Sequence, residues 1–232
     1  MHTLPTIPAD TTVYRDVTYV PDGHERQTLD IYLPAGTGPW PVIVYIHGGA
    51  FRMGSKSDRV PLAMLARGYA LVSLNYRLSQ HAIFPAQIED CKAAVRWLRA
   101  HAADYRLNAT RIIAWGESAG GHLATMLGVS GHVDAWEVGA YRTHSSRVQG
   151  VVDFYGPTDF LQMDTQRLPH GMVHDGADSP ESELIGGAIQ AHPHATAQAN
   201  PMTHIRGDAA PFVVIHGDAD PLVPYGQSVI LV

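Results

Sequence analysis

The chain has 232 residues, 45% hydrophobic and 16% charged, with a formal net charge of −6, which provides one sizeable α/β core and, with no basic run, excludes a nucleic-acid-binding class. The lone Cys91 excludes an internal disulfide framework and reads as a small buried apolar residue on a helix. The opening M-H-T-L-P-T-I-P-A-D lacks the basic and apolar regions of a secretory signal, and no apolar run approaches the ~20 residues of a membrane span, so the expected location is cytoplasmic.

In chain order, Val13 to Val20 and Gln27 to Leu33 alternate apolar and polar residues around Pro-Asp-Gly-His, which predicts an antiparallel hairpin with one wet face. From Val42 the pattern changes. Val42 to Ile46, Ala70 to Leu74, Ile112 to Trp115, Val148 to Phe154 and Phe212 to Ile215 are short, mostly apolar runs, as expected of strands buried on both faces of a parallel sheet. Helical periods fall between them at Val60 to Arg67, Ile88 to Ala103 and Ser118 to Leu127. In the second, Ile88, Cys91, Ala94, Val95 and Leu98 form the core stripe, with Lys92, Arg96 and Arg99 opposite. Alternating strands and helices predict a single α/β domain over 1–232, with a mostly parallel sheet covered by helices on both faces. Residues 161–207 are rich in His, Gly, Pro, Ala and Gln, with short helical hints at Glu181 to Ile185 and Ala195 to Ala199. They read as an insertion over the C-terminal edge of the sheet, where open α/β folds build their sites.

Three motifs carry chemistry. The run R-I-I-A-W-G-E-S-A-G-G from Arg111 to Gly121 drives an apolar strand into Gly-x-Ser-x-Gly and then a helix. This is the pattern of a nucleophile elbow, in which Gly116 and Gly120 leave room for a tight turn that lifts the Ser118 hydroxyl above the sheet. His47-Gly48-Gly49-Ala50-Phe51 follows the strand ending at Ile46. Backbone amides there, together with the N–H of Ala119, suit an oxyanion hole. The third string, V-V-I-H-G-D-A-D-P-L-V-P from Val213, offers two carboxylates after a strand end. Either Asp218 or Asp220 could hold a catalytic imidazole, and position alone does not choose between them.

Y-I-H-G-G-A-F, G-E-S-A-G-G-H and I-H-G-D-A-D-P-L-V-P occur in this order, with N-Y-R-L and F-P-A-Q-I-E-D between Asn75 and Asp90. Together they resemble the α/β-hydrolase fold, and within it the esterase/lipase group related to hormone-sensitive lipase and to bacterial feruloyl-esterase-like carboxylesterases. The resemblance implies Ser118 as nucleophile and Asp220 as acid. It implies an oxyanion hole from the amides of Gly48, Gly49 and Ala119, with Ala50 as an alternative to Gly48, and makes His47 a structural residue of that loop. It further implies acyl-enzyme hydrolysis of carboxylic esters without a cofactor; the short insertion, in place of a large lid, points to small or short-acyl esters. Phe51, Tyr76, Phe84 and Tyr155 follow strand ends or motifs and are the expected pocket walls.

The fold orders its triad Ser, Asp, His. Only twelve residues follow Asp220, and none is histidine. The expectation is a chain lacking the last helix and strand, poorly active as it stands, with the strand at Phe212 to Ile215 left as an edge open to homo-oligomer pairing. His122 is expected to be carried away from the hydroxyl by its helix, whereas His192, His194 and His204 could hover over the site from the insertion. His170-x-x-x-His174 and His192-x-His194 have metal-like spacing, but Pro169 and Gly171 argue against the helix such a pair needs, so no metal is expected and these read as solvated loop histidines. A non-catalytic binding scaffold and a serine peptidase on the same fold are the alternative functions.

Overall fold

The computed structural model describes residues 7–232; the first six, part of the segment read as lacking a secretory signal, lie outside it. Seven strands form one sheet: β1 (Thr12–Thr18), β2 (Thr28–Leu33), β3 (Trp40–Ile46), β4 (Ala70–Leu74), β5 (Leu107–Glu117), β6 (Gly150–Phe154) and β7 (Phe212–Ile215), in the spatial order β1-β2-β4-β3-β5-β6-β7. β2 runs antiparallel to both neighbours, and every pairing from β4 to β7 is parallel. This is the mostly parallel α/β-hydrolase sheet with its N-terminal hairpin. The central strands carry Val, Ile and Leu on both faces because both are covered, one by helices and the other, at Ile43, Tyr45 and Leu71, by Val60 and Leu65. Val44, Ile46, Leu71, Val72 and Leu74 are fully buried.

Two helices flank the centre. In α1 (Ala86–Ala100) the residues Ile88, Cys91, Ala94, Val95 and Leu98 face the core. α2 (Ala119–Val129) begins directly after Ser118 and is buried along almost its whole length, as its apolar sequence requires. Short helices α3 (Met163–Gln166), α4 (Pro180–Ile185) and α5 (Pro193–Ala199) lie between β6 and β7, and α6 (Gly226–Leu231) follows β7. The Ser179 side chain caps α4 by accepting from the Ser182 N–H, with Pro180 in the first turn.

Three expectations are corrected. The period at Val60 to Arg67 becomes a 3₁₀ turn over Leu62–Arg67, closed by Gly68 in the left-handed region. Lys92 and Arg96 are not on a solvated face: they are 1% and 0% exposed, and both pair with Glu137, which arrives on the segment after α2. His174 is not a solvated loop histidine but is buried at 2% exposure.

The strings between Asn75 and Asp90 meet as one ion pair. Arg77 clasps Asp90 with Nε 2.9 Å from Oδ2 and Nη2 2.7 Å from Oδ1, and the Arg77 N–H donates to Oδ2 at 2.9 Å. This ties the chain after β4 to the N-terminal half of α1. At the far edge, β7 pairs only with β6 among the described residues, and Val213 and Ile215 are 55% and 49% exposed. No helix among the described residues is long and apolar enough to cross a membrane.

Candidate active site

β5 ends at Glu117, and the next residue turns the chain into α2. Ser118 sits at φ 54°, ψ −123°, a conformation that costs an L-residue about 1–3 kcal/mol and persists only where surrounding structure enforces it. The Ser118 N–H donates to the Phe154 carbonyl at 2.8 Å, and the Ser118 carbonyl accepts from the His122 N–H at 2.9 Å, so both sides of the corner are pinned. The corner is compact because Gly116 and Gly120 touch: a Cβ on Gly116 would strike the Gly120 backbone, and one on Gly120 would strike the carbonyls of Ile46 and His47. The elbow is thus pressed against the end of β3, where the second motif begins.

That motif forms a loop of left-handed residues, Gly49 (φ 115°), Ala50 (φ 55°) and Phe51 (φ 60°). It lies over the elbow: a Cβ on Gly48 would stand 2.9 Å from the Glu117 carbonyl oxygen and 3.4 Å from the Ser118 Cβ. His47 braces it from below. The His47 ring is 1% exposed and stacks on Tyr76 at 4.5 Å. Its Nε2 is 3.2 Å from Arg26 Nη2, and its Nδ1 is 2.6 Å from the Gly48 carbonyl. With the guanidinium donating to Nε2, the proton belongs on Nδ1, where it donates to Gly48. Burial holds the ring neutral, pushing its pKa down to about 4. Ala119 opens α2, whose first-turn amides have no acceptor within the helix.

Across the opening, the chain after β7 brings Asp218 and Asp220 to the same cleft. Its volume is about 910 Å³, and Gly48, Gly49 and Ser118 line it. The two acids differ. Asp218 is exposed, whereas the Asp220 side chain is 20% exposed and Oδ1 accepts the N–H groups of Leu222 at 2.7 Å and Val223 at 3.0 Å. Asp220 Oδ2 lies 3.6 Å from His216 Nε2, but that nitrogen also faces the Val223 carbonyl at 3.0 Å while Nδ1 faces Ser228 Oγ at 2.7 Å. His216 therefore braces the acid loop from behind. Burial lowers its pKa.

Of the expected pocket walls, only Tyr155 lines the cleft; its hydroxyl donates to Glu117 Oε2 at 2.9 Å, and burial with that carboxylate pushes its pKa up to about 12. Phe51 and Tyr76 are 1% and 0% exposed, Phe51 packing edge-on to His122 and Phe160 and Tyr76 donating its hydroxyl to the His47 carbonyl. Phe84 packs against Trp136 at 5.4 Å. Phe51 and Tyr76 follow strand ends and Phe84 precedes α1, and all three rings pack against other aromatic rings instead of lining the cleft. Met53, Asp58, Arg59, Glu117 and Leu222 do line the cleft and were not singled out from the sequence. Glu117 was legible as the residue before Ser118 in the motif; the rest lie on irregular loops with no periodic signal.

Among the described residues, no histidine lines the cleft. His122 is fully buried, its Nδ1 faces the Pro157 carbonyl at 2.8 Å, its ring stacks on Phe160, and burial pushes its pKa down to about 4. His192 and His194 are exposed on the insertion, and His204 packs edge-on to Trp136.

A mostly parallel sheet whose central strand turns through a strained serine into a buried helix, beneath a Gly-Gly loop and opposite an aspartate, defines the α/β-hydrolase fold. The chain belongs to the BD-FAE family, whose model matches residues 29–232. It is 34% identical over 206 residues to the probable carboxylic ester hydrolase LipM of Mycobacterium tuberculosis, covering 88% of this chain and 45% of that one. Among solved structures it is similar to a truncated form of a carbohydrate esterase from gut microbiota, with a TM-score of 0.89, 33% identity and coverage of 99% of this chain and 85% of that one. It is also similar to a bifunctional GH43-CE protein of Bacteroides eggerthii, with a TM-score of 0.86, 38% identity and coverage of 94% of this chain and 32% of that one. The chain spans about half the length of the curated relatives it matches.

Proposed function

We propose that the chain carries the nucleophile, acid and oxyanion hole of a carboxylic-ester hydrolase. Ser118 Oγ adds to the acyl carbon, and the amides of Gly48, Gly49 and Ala119 receive the negative charge that develops on the carbonyl oxygen. Collapse of that intermediate expels the alcohol and leaves an acyl-Ser118; water then adds and releases the carboxylic acid. Asp220 is the carboxylate that orients and charge-stabilises an imidazole base. With no histidine in the cleft among the described residues, these groups alone leave Ser118 a weak nucleophile at neutral pH. The acceleration they supply is on the order of 10³–10⁴ over water.

The substrate is a small or short-acyl ester. Among the residues that line the cleft, Met53, Leu222 and Val223 are apolar and suit a short acyl chain, while Asp58, Arg59, Glu117 and Tyr155 are polar and suit a hydroxyl-rich alcohol. The likeness to a protein named as a carbohydrate esterase supports a sugar as that alcohol.

The observation that carries this reading is the backbone of Ser118, held at φ 54° under Gly48 and open to the cleft that Asp220 shares. A fluorophosphonate probe followed by peptide mapping tests it. The expected adduct is on Ser118, is absent from Ser118→Ala, and forms faster when free imidazole supplies the base. A folded chain that stays unlabelled with imidazole present overturns the reading in favour of a non-catalytic binding scaffold.

A further inference from the structure

The insertion and the acid loop meet at one buried imidazole. The His174 ring has Nδ1 3.0 Å from Glu181 Oε2 and Nε2 3.0 Å from the Leu222 carbonyl oxygen. Both partners only accept. A neutral ring has one N–H and satisfies one of them, leaving its lone pair facing the other, whereas an imidazolium satisfies both. The backbone around the ring is tied as well. Asp164 accepts the N–H groups of His174 at 2.8 Å and Asp175 at 3.0 Å, and the Met172 N–H donates to the Pro221 carbonyl at 2.8 Å. Leu222, whose carbonyl the ring holds, is the residue whose N–H holds Asp220 Oδ1.

We propose that His174, as an imidazolium bridging Glu181 and the Leu222 carbonyl, is a positioning residue that sets the Asp220 loop, and that its deprotonation loosens that loop. The proposal rests on Asp220 being the acid of the site. The charged groups around the ring are Glu181 from α4, Asp164 from α3 with Arg167 beside it at 3.7 Å, and Asp220 two residues from the carbonyl it holds. Burial opposes the charged ring, but Glu181, the Leu222 carbonyl and Asp164 together outweigh it and hold the ring above its ordinary pKa of 6.5. Because the folded value is the raised one, the bridge is complete below the ordinary histidine value and is lost as pH rises through the folded value.

Ring-nitrogen NMR and amide exchange on the 232-residue chain, between about pH 6 and 9, test this without needing turnover. The expected result is one imidazole that keeps both N–H groups beyond the ordinary histidine range. Protection factors at Leu222 and Val223 then fall with the same midpoint. Glu181→Gln, which keeps an acceptor and removes the charge, moves both midpoints together to roughly tenfold higher proton concentration; His174→Gln abolishes the pH step. A His174 ring that is neutral at pH 7, or a ring that titrates while the two amides stay unchanged, overturns the proposal. Both readouts on the unsubstituted chain stand if either variant fails to fold. An unlabelled Ser118 beside an intact titration contradicts the hydrolase reading and leaves the His174 link in place.

Discussion

Beneath the elbow, Asp153 is fully buried, with Oδ1 accepting the Gly156 N–H at 2.9 Å. Burial pushes its pKa up to about 6. The folded value lies above the unfolded one, so the contribution of this residue is fully present below about pH 3.8 and is lost as pH rises through about 6. At pH 8 the cost is about 3 kcal/mol, and Asp153→Asn is expected to flatten that loss. Urea unfolding at pH 4 and pH 8 checks it; an unchanged difference between the two pH values contradicts it. Ser118 carries a different strain. At φ 54°, ψ −123° its Cβ is disfavoured, and glycine adopts that conformation freely. Ser118→Gly is therefore expected to be more stable than Ser118→Ala by about 1 kcal/mol, the reverse of the usual order, by denaturant midpoints at constant slope.

At the scale of elements, α1 is fastened to the segment after α2 through Glu137, whose carboxylate meets Lys92 Nζ at 2.9 Å, the Arg96 guanidinium and the Ser146 hydroxyl. Removing the carboxylate leaves two buried cations without their partner. Glu137→Ala is expected to lose about 3–5 kcal/mol, whereas Arg147→Ala, which breaks the exposed pair with Asp208, stays within about 1 kcal/mol. Equal losses in equilibrium unfolding contradict the distinction. The buried cations also mark a limit of sequence reading. Periodicity places Lys92 and Arg96 opposite the apolar stripe of α1, but which remote segment covers that side is a long-range fact with no local signature. The same limit hid His174 in the insertion and turned Phe51 and Tyr76 inward. The strands at Ala70–Leu74 and Phe212–Ile215 were legible to the residue as short apolar runs between turn residues, but only the first is buried on both faces as expected; on β7 Val213 and Ile215 are exposed. The meeting of the elbow with the Gly-Gly loop was legible as well, since glycine at these spacings is required wherever backbones touch.

For the whole molecule, β7 is an edge strand that pairs only with β6 among the described residues, and its Val213 and Ile215 are exposed. An edge with exposed apolar residues templates further pairing. The chain is expected to associate in a concentration-dependent way by sedimentation velocity, and Val213→Lys to shift it toward monomer; a wild-type chain that stays monomeric at high concentration contradicts this. The opposite edge of the sheet is the hairpin strand β1, which pairs only with β2 among the described residues. The cleft lies between these ends, where β3, β5 and β7 deliver the Gly-Gly loop, the elbow and the acid loop to one edge.

Attack on an ester requires the Ser118 oxygen to face the amides of Gly49 and Ala119. A crystal structure of the phosphonylated chain measures that geometry directly. The expected adduct is on Ser118, with its phosphonyl oxygen about 2.7–3.1 Å from the amide nitrogens of Gly49 and Ala119. A phosphonyl oxygen turned away from both amides, or an adduct on another residue, contradicts the account.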